Sequence, residues 1–214
     1  EAKDLSTWLR DNDRKLMKDK RISDVVYMDT SDTPITMTRN QTVLRALNEG
    51  FDFCLMLDSD MKPDCEAGCD PTVKPFWDSS FDFADKMWDK HPVVVGAPYC
   101  GSGEMENVFC FRWSNSFTNN PHEVDMQLSP YSRHEAALMA GIQPAGALPT
   151  GCILYDVRLF RDLCNPTPRY RQLRDLGLSS AEAARAAGSW FEYEWENELA
   201  AQKGSTEDVY NTRD

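Results

Sequence analysis

Two carboxylates, one residue apart, close an apolar run in the stretch LMLDSDM (55–61). Alternation along an extended chain would place the side chains of Asp58 and Asp60 on the same side. Carboxylates held this close repel each other, and a divalent cation that prefers oxygen ligands relieves the repulsion. We therefore predict a cation site at Asp58 and Asp60, from which the cation could bridge to the phosphate groups of a ligand.

Two other interpretations of this stretch have to be weighed, and only the first of them stays open. An isolated Asp-x-Asp is more often a solvated turn in which one carboxylate caps the next element. A calcium loop of the EF-hand type fits poorly, because Lys62 and Pro63 stand at the fifth and sixth positions, where a ligand and a glycine are needed. The surrounding sequence has to decide between a cation site and a plain turn.

Composition limits the function classes. The chain has 214 residues with 41% hydrophobic and 27% charged side chains, which is typical of one soluble globular domain. No apolar run approaches the roughly 20 residues of a membrane span. A net charge of −12 disfavours broad binding to nucleic acids or anionic membranes. Seven cysteines, several inside apolar segments, indicate reduced thiols and a cytoplasmic protein, or one of the host cytoplasm if it is viral.

Helical and extended patterns alternate along the chain. Helical spacing covers residues 5–20 and 73–90, and a further helix is predicted to begin at Thr38, with Thr38 and Gln41 as a capping box. Apolar strands are predicted at 25–28, 51–57, 93–95, 108–113 and from 151, with a polar loop over 114–130. This order predicts an α/β fold with a mostly parallel sheet, in which ligands bind beyond the carboxyl ends of strands.

Three stretches, in order, carry a resemblance to a known family: TRNQTVLRALNEGFDFCLMLDSDMKPD (38–64), GALPTGCILYDVRLF (146–160) and SWFEYEWENELAAQKGSTEDVY (189–210). Together they resemble nucleotide-diphospho-sugar glycosyltransferases of the GT-A fold. The chain is similar to glycosyltransferase family 2, and most to its compact bacterial and phage members. The resemblance covers roughly residues 24–210.

The resemblance implies a fold and an activity. The fold would be a single Rossmann-like GT-A domain over residues 1–214, with a mostly parallel central sheet flanked by helices. The activity would be that of a hexosyltransferase-like enzyme, which transfers a sugar from a nucleotide-diphosphate sugar to an acceptor hydroxyl with inversion. Mn²⁺ or Mg²⁺ would be the cofactor. The acceptor would be a glycan, a small molecule or a modified DNA base.

The resemblance also implies site residues. Asp60 and Asp58 would bind the metal, and Asp208 would be the general base, with Glu207 supporting the acceptor. Contacts to the donor are implied for Asp29, Asp32, Arg39, Asn40 and Ser59. Contacts to the acceptor are implied for Gly151, Trp190 and Glu192.

Several of these residues have a purely structural alternative. Arg39 could pair with a surface carboxylate, and Asn40 could simply sit in the first turn of a helix. Ser205 and Asp208 have capping-box spacing. Trp190 belongs to an alternating aromatic segment in which about half of the rings are expected in the core.

The chain also departs from the family pattern at both ends. The family's first strand, which binds the nucleotide base, has no counterpart before the helix at residue 5. No metal ligand follows Asp208. Either the chain is a fragment or divergent form, or water and donor phosphates complete the metal site. Two alternatives to the transferase therefore stay open: a catalytically reduced binding or structural module, and a sugar nucleotidyltransferase.

Overall fold

A computed structural model describes residues 5–28, 35–61, 64, 74–100, 108–117, 124–162, 168–179, 182 and 190–191. The helices in these ranges are α1 (Leu5–Leu16), α2 (Ile35–Glu49), α3 (Phe76–Met87), α4 (Arg133–Ala137), α5 (Arg158–Asp162) and α6 (Pro168–Asp175). The strands are β1 (Phe53–Leu57), β2 (Val94–Gly96), β3 (Tyr99–Cys100), β4 (Val108–Phe117), β5 (Val124–Tyr131) and β6 (Cys152–Asp156). Of the helices in these ranges, none combines the length and the apolarity needed to cross a membrane.

The strands form two three-stranded sheets, and both are antiparallel. In the first sheet, β6 lies between β1 and β2 and runs antiparallel to each of them. In the second sheet, β4 lies between β3 and β5, again with antiparallel pairing. The predicted mostly parallel, Rossmann-like GT-A sheet is therefore wrong.

The insertion of β6 explains the error. β1, α3 and β2 follow one another as a strand–helix–strand unit, which normally indicates a parallel pair. Because both strands are antiparallel to β6, they do point the same way, but they are not neighbours. β6 comes from much later in the chain and lies between them in the opposite direction. A continuous apolar run shows that a strand is covered on both faces, and it carries no information on strand direction.

Helices cover both faces of the first sheet. Cys54 and Met56 of β1 pack with residues of α2 and α5 in one buried cluster, which also contains Trp190 and Phe191. On the other face, Phe53 and Leu55 pack against a second cluster, which includes Ala84 of α3 and Leu154 of β6. Side chains along β1 thus alternate between two cores, as period-two geometry requires. All five residues of β6 are buried between them.

Three local predictions are also wrong. Within the predicted loop at 114–130, residues 114–117 and 124–130 belong to the paired strands β4 and β5. The polar residues in these two ranges are therefore part of a sheet rather than of irregular structure. Residues 25–28 are not assigned as a strand in the described part of the chain, and Val26 and Tyr27 are exposed. Thr38 is not a helix cap, because α2 already begins at Ile35.

The end of β6 holds a buried ion pair. Asp156 is 1% exposed, and its carboxylate accepts hydrogen bonds from the Arg158 backbone N–H, Nε and Nη2. The Arg158 guanidinium lies 3.8 Å from the centre of the Trp88 ring and donates through Nη1 to the Trp88 carbonyl. Through its bond to the Arg158 N–H, Asp156 also accepts from the first backbone N–H of α5.

We predict that Asp156→Asn lowers the free energy of unfolding by about 3 kcal/mol, because it removes the charge that faces a partly buried guanidinium. Urea unfolding measures the loss. The control is Glu49→Gln, which breaks the exposed pair between Arg45 and Glu49. An exposed pair of this kind contributes less than about 0.5 kcal/mol. Equal losses in the two variants would show that burial of the Asp156 pair has no energetic consequence.

Candidate functional site

Asp58 stands where β1 ends, and the backbone of the sheet fixes its position. The Asp58 N–H donates to the carbonyl of Gly151 at 2.9 Å, one step beyond the pair of Leu57 and Cys152. The Asp58 carbonyl then accepts from the Met61 N–H at 3.1 Å. The chain therefore turns at residues 58–61. The argument from alternation assumed an extended chain here, and that assumption is wrong. Ser59 and Asp60 occupy the turn and are exposed.

A buried arginine side chain lies beside this turn. Arg39 of α2 is 5% exposed, and its Nη2 lies 3.6 Å from Oδ1 of Asp58. A guanidinium taken out of water requires a counter-charge nearby, because burial of an uncompensated charge is costly. The Asp58 side chain is itself 38% exposed. The ion pair therefore holds Asp58 in place while the carboxylate remains accessible from outside, and Arg39 acts as a positioning residue.

The structure adds Asp64 to this region, a residue that the sequence reading did not single out. Its carboxylate accepts from Nε1 of Trp8 and from the backbone N–H of Phe76, each at 2.7 Å. It thereby joins α1 and the start of α3 to the segment after β1. Its backbone is in the left-handed region, with φ at 60°. Local patterns could not identify this contact, because Phe76, the first residue of α3, lies 12 positions after Asp64.

A buried thiol lies within electrostatic range of both carboxylates. Burial, together with smaller contributions from the negative charges of Asp64 and Asp58, raises the pKa of Cys152 to about 12. The thiol therefore stays protonated at neutral pH and is not a nucleophile. Since both carboxylates act on one sulfur, Asp58 and Asp64 lie in the same region at the start of β6.

Gly151 leaves room for an aromatic ring next to Asp58. A Cβ built on Gly151 would lie 2.7 Å from Cε1 of Tyr99 and 3.1 Å from its hydroxyl oxygen. Any larger side chain at Gly151 would therefore force the Tyr99 ring to move. The Tyr99 ring therefore packs directly on the residue whose carbonyl anchors the Asp58 backbone. Gly151 was predicted to contact the acceptor, and the structure shows it buried under this ring.

Asn40 binds the backbone of a distant segment. Its Oδ1 accepts from the N–H groups of Trp190 and Phe191 at 2.6 and 2.9 Å, and its Nδ2 donates to the Phe191 carbonyl at 2.9 Å. Trp190 is 2% exposed and packs against Phe160, with 6.0 Å between ring centres. The structure thus places Trp190 in the core rather than at a surface that an acceptor could contact. Asn40 therefore holds residues 190–191, which come before the candidate residues Glu192, Glu207 and Asp208 in the sequence.

Five candidate residues lie outside the described part of the chain: Asp29, Asp32, Glu192, Glu207 and Asp208. Their roles stay predictions. The structure does bring Arg39, Asp58 and Gly151 to one end of the first sheet, although 112 positions separate Arg39 from Gly151 (151 − 39).

The residues present set limits on a bound metal ion. Among the described residues, no three His, Cys, Asp or Glu side chains are close enough together to hold one. The carboxylates of Asp58 and Asp60 are hard oxygen donors, and Mg²⁺ is often held by one or two carboxylates with the rest of its shell from phosphates and water. Asp58 and Asp60 could therefore supply only part of a cation's coordination shell, and a ligand and water would have to supply the rest.

Comparison of the chain with known protein families, curated proteins and solved structures gave no match. The resemblance to glycosyltransferases rests on the three stretches quoted above.

We predict that Asn40→Ala lowers the free energy of unfolding by about 3 kcal/mol, because three hydrogen bonds to the buried backbone of residues 190–191 are lost at about 1 kcal/mol each. Gln41→Ala, at the exposed neighbouring position, is the control and should change stability by less than about 0.5 kcal/mol. Urea unfolding measures both variants. An Asn40→Ala protein as stable as the control would mean that these bonds do not hold the segment.

Proposed function

We propose that this protein transfers a sugar from a nucleoside-diphosphate sugar to an acceptor hydroxyl, with inversion and with Mn²⁺ or Mg²⁺ as cofactor. The observation that carries the proposal is the position of Asp58. Its backbone is fixed by Gly151, its side chain is paired with the buried Arg39, and the carboxylate is still 38% exposed. A purely structural carboxylate does not need that accessibility, whereas a cation ligand does.

Asp58 and Asp60 would hold the cation, and Arg39 would hold Asp58. When bound, Mn²⁺ or Mg²⁺ would neutralise the charge that develops on the leaving diphosphate. An acidic protein with a net charge of −12 would need such a cation to bind an anionic donor. Asp29, Asp32 and Ser59 are proposed as donor contacts.

The transfer step itself requires a base. The acceptor oxygen attacks the anomeric carbon, the bond from that carbon to the diphosphate oxygen breaks, and the nucleoside diphosphate leaves. We assign the acceptor proton to the carboxylate of Asp208, which acts as the general base. Glu207 and Glu192 are proposed to position the acceptor. In the described part of the chain, four cysteines are free thiols: Cys54, Cys100, Cys110 and Cys152. Reduced thiols support a cytoplasmic location for the protein.

The donor site can be tested by thermal unfolding with Mn²⁺ and a panel of nucleoside diphosphates (UDP, GDP, ADP, CDP and dTDP). We expect one nucleotide together with Mn²⁺ to raise the Tm by about 5 °C or more at a hundredfold excess over its Kd. Neither component alone should do so. Asp60→Asn should abolish the shift, because it removes one of the two cation ligands.

The matched control for this experiment is Asp52→Asn. Asp52 is exposed just before the opposite end of β1, so this variant loses the same charge without touching the turn at 58–61. It should keep the full shift. If no nucleotide raises the Tm of the wild type with either metal, the protein is a binding or structural module and not a transferase. A shift that survives in Asp60→Asn would remove Asp60 from the site.

The general base can be tested separately. Asp208→Asn should leave the nucleotide-dependent rise in Tm unchanged and lower the rate of nucleoside diphosphate release from the matching nucleotide sugar at least about 100-fold. Asp214→Asn makes the same chemical change six positions later (214 − 208) and should retain the rate. Full activity in Asp208→Asn would show that another group accepts the proton.

A further inference from the structure

We infer that the aromatic pair Tyr99 and Phe109 forms a stacking subsite for a neutral saccharide acceptor beside Asp58; the inference rests on the proposed transferase function. Tyr99 and Phe109 are paired across β3 and β4, and their ring centres lie 5.5 Å apart at an angle of 50°. We call these two residues the aromatic shelf.

The aromatic shelf is connected to the candidate site by direct contact. The Tyr99 ring packs on Gly151 so closely that a methyl group added there would force the ring to move. The carbonyl of Gly151 accepts the hydrogen bond that positions Asp58. Phe109, the outer member of the shelf, is 42% exposed. The shelf therefore begins at the end of β1 and reaches solvent on the second sheet.

The chemistry of the shelf suits a sugar ring. An aromatic face carries partial negative charge, and the C–H groups on one face of a pyranose carry partial positive charge, so the two surfaces attract each other as they leave water. Sugar hydroxyls at the ring edge remain available for hydrogen bonds to neighbouring carboxylates. An acceptor stacked on Phe109 would be oriented before it reaches the donor.

Charge favours a neutral saccharide over a nucleic acid. Arg112 is the only Lys or Arg in the sequences of β3, β4 and β5. Its Nη1 is already paired with Oε1 of Glu135 at 2.7 Å, and its guanidinium lies over the ring of Tyr131. Binding of a DNA or RNA acceptor depends on cations that neutralise phosphates. The second sheet therefore offers a stacking surface without the charge that a nucleic acid acceptor would need.

The test measures binding of neutral disaccharides (lactose, maltose, cellobiose and trehalose) by saturation-transfer NMR with Mg²⁺ and the nucleotide that stabilises the protein. We expect at least one disaccharide to bind the wild type. Phe109→Leu should weaken that binding about fivefold or more, because it keeps apolar bulk and removes the ring face. Phe109→Trp should retain binding.

Trp113→Leu is the matched control, since Trp113 lies on the same strand with a similar exposure of 41%. Trp113 pairs with Leu128 of β5, beyond the irregularity in β4 between Val108 and Phe111, whereas Phe109 pairs with Tyr99 of β3. This variant should bind the disaccharide like the wild type. A melting curve for each variant separates loss of binding from loss of folding.

The outcomes separate this inference from the proposed function. If the nucleotide still raises the Tm but no disaccharide binds, or Phe109→Leu binds as well as the wild type, the shelf is not an acceptor subsite and the transferase proposal stands. Equal losses in Trp113→Leu, or salt-sensitive binding of an octathymidylate probe that depends on Phe109, would also overturn it. Disaccharide binding that depends on Phe109, without any nucleotide effect, would support the shelf and remove the transferase proposal.

Discussion

The buried strand β6 is the constraint on which the rest of the structure depends. It pairs with β1 on one side and with β2 on the other, and all five of its side chains are buried. Because both neighbours take their register from β6, the position of Asp58 is set by Gly151, the residue just before β6. The packing of Tyr99 on Gly151 brings the second sheet to the same point. One strand thus positions the carboxylates and the aromatic shelf.

The sequence predicts individual elements of this fold better than their arrangement. The apolar run of β1 and the helical spacing of α3 are visible locally, and both elements are present near the predicted positions. The direction of β6 is not visible, because hydrophobicity records burial and not orientation. The hairpin of β4 and β5 is hidden for another reason. Its sequence is rich in polar residues, and polar composition taken alone predicts a loop.

In the candidate site, too, the local sequence predicts single residues but not how they are arranged. Asp58 and Asp60 can be found from their spacing after an apolar run, but the turn at 58–61 cannot, and it places Asp60 differently from an extended chain. Asp64 and Tyr99 belong to the region only through contacts with residues far away in the sequence. Asn40 was singled out as a donor contact, whereas its described bonds run to the backbone of residues 190–191. No local pattern contains these long-range pairings.

Two aspartates at strand ends in the same sheet show how a buried structural carboxylate differs from one that solvent and ligands can reach. Asp156 ends β6 and Asp58 follows β1, at opposite ends of the antiparallel pair, and each is matched with an arginine. Asp156 is 1% exposed, and Arg158 contacts both of its oxygens. Asp58 keeps 38% of its side chain exposed, and its arginine is the buried partner. The first arrangement satisfies the carboxylate within the protein. In the second, the protein encloses the guanidinium and leaves the carboxylate accessible at the surface, where the proposed metal ion could reach it.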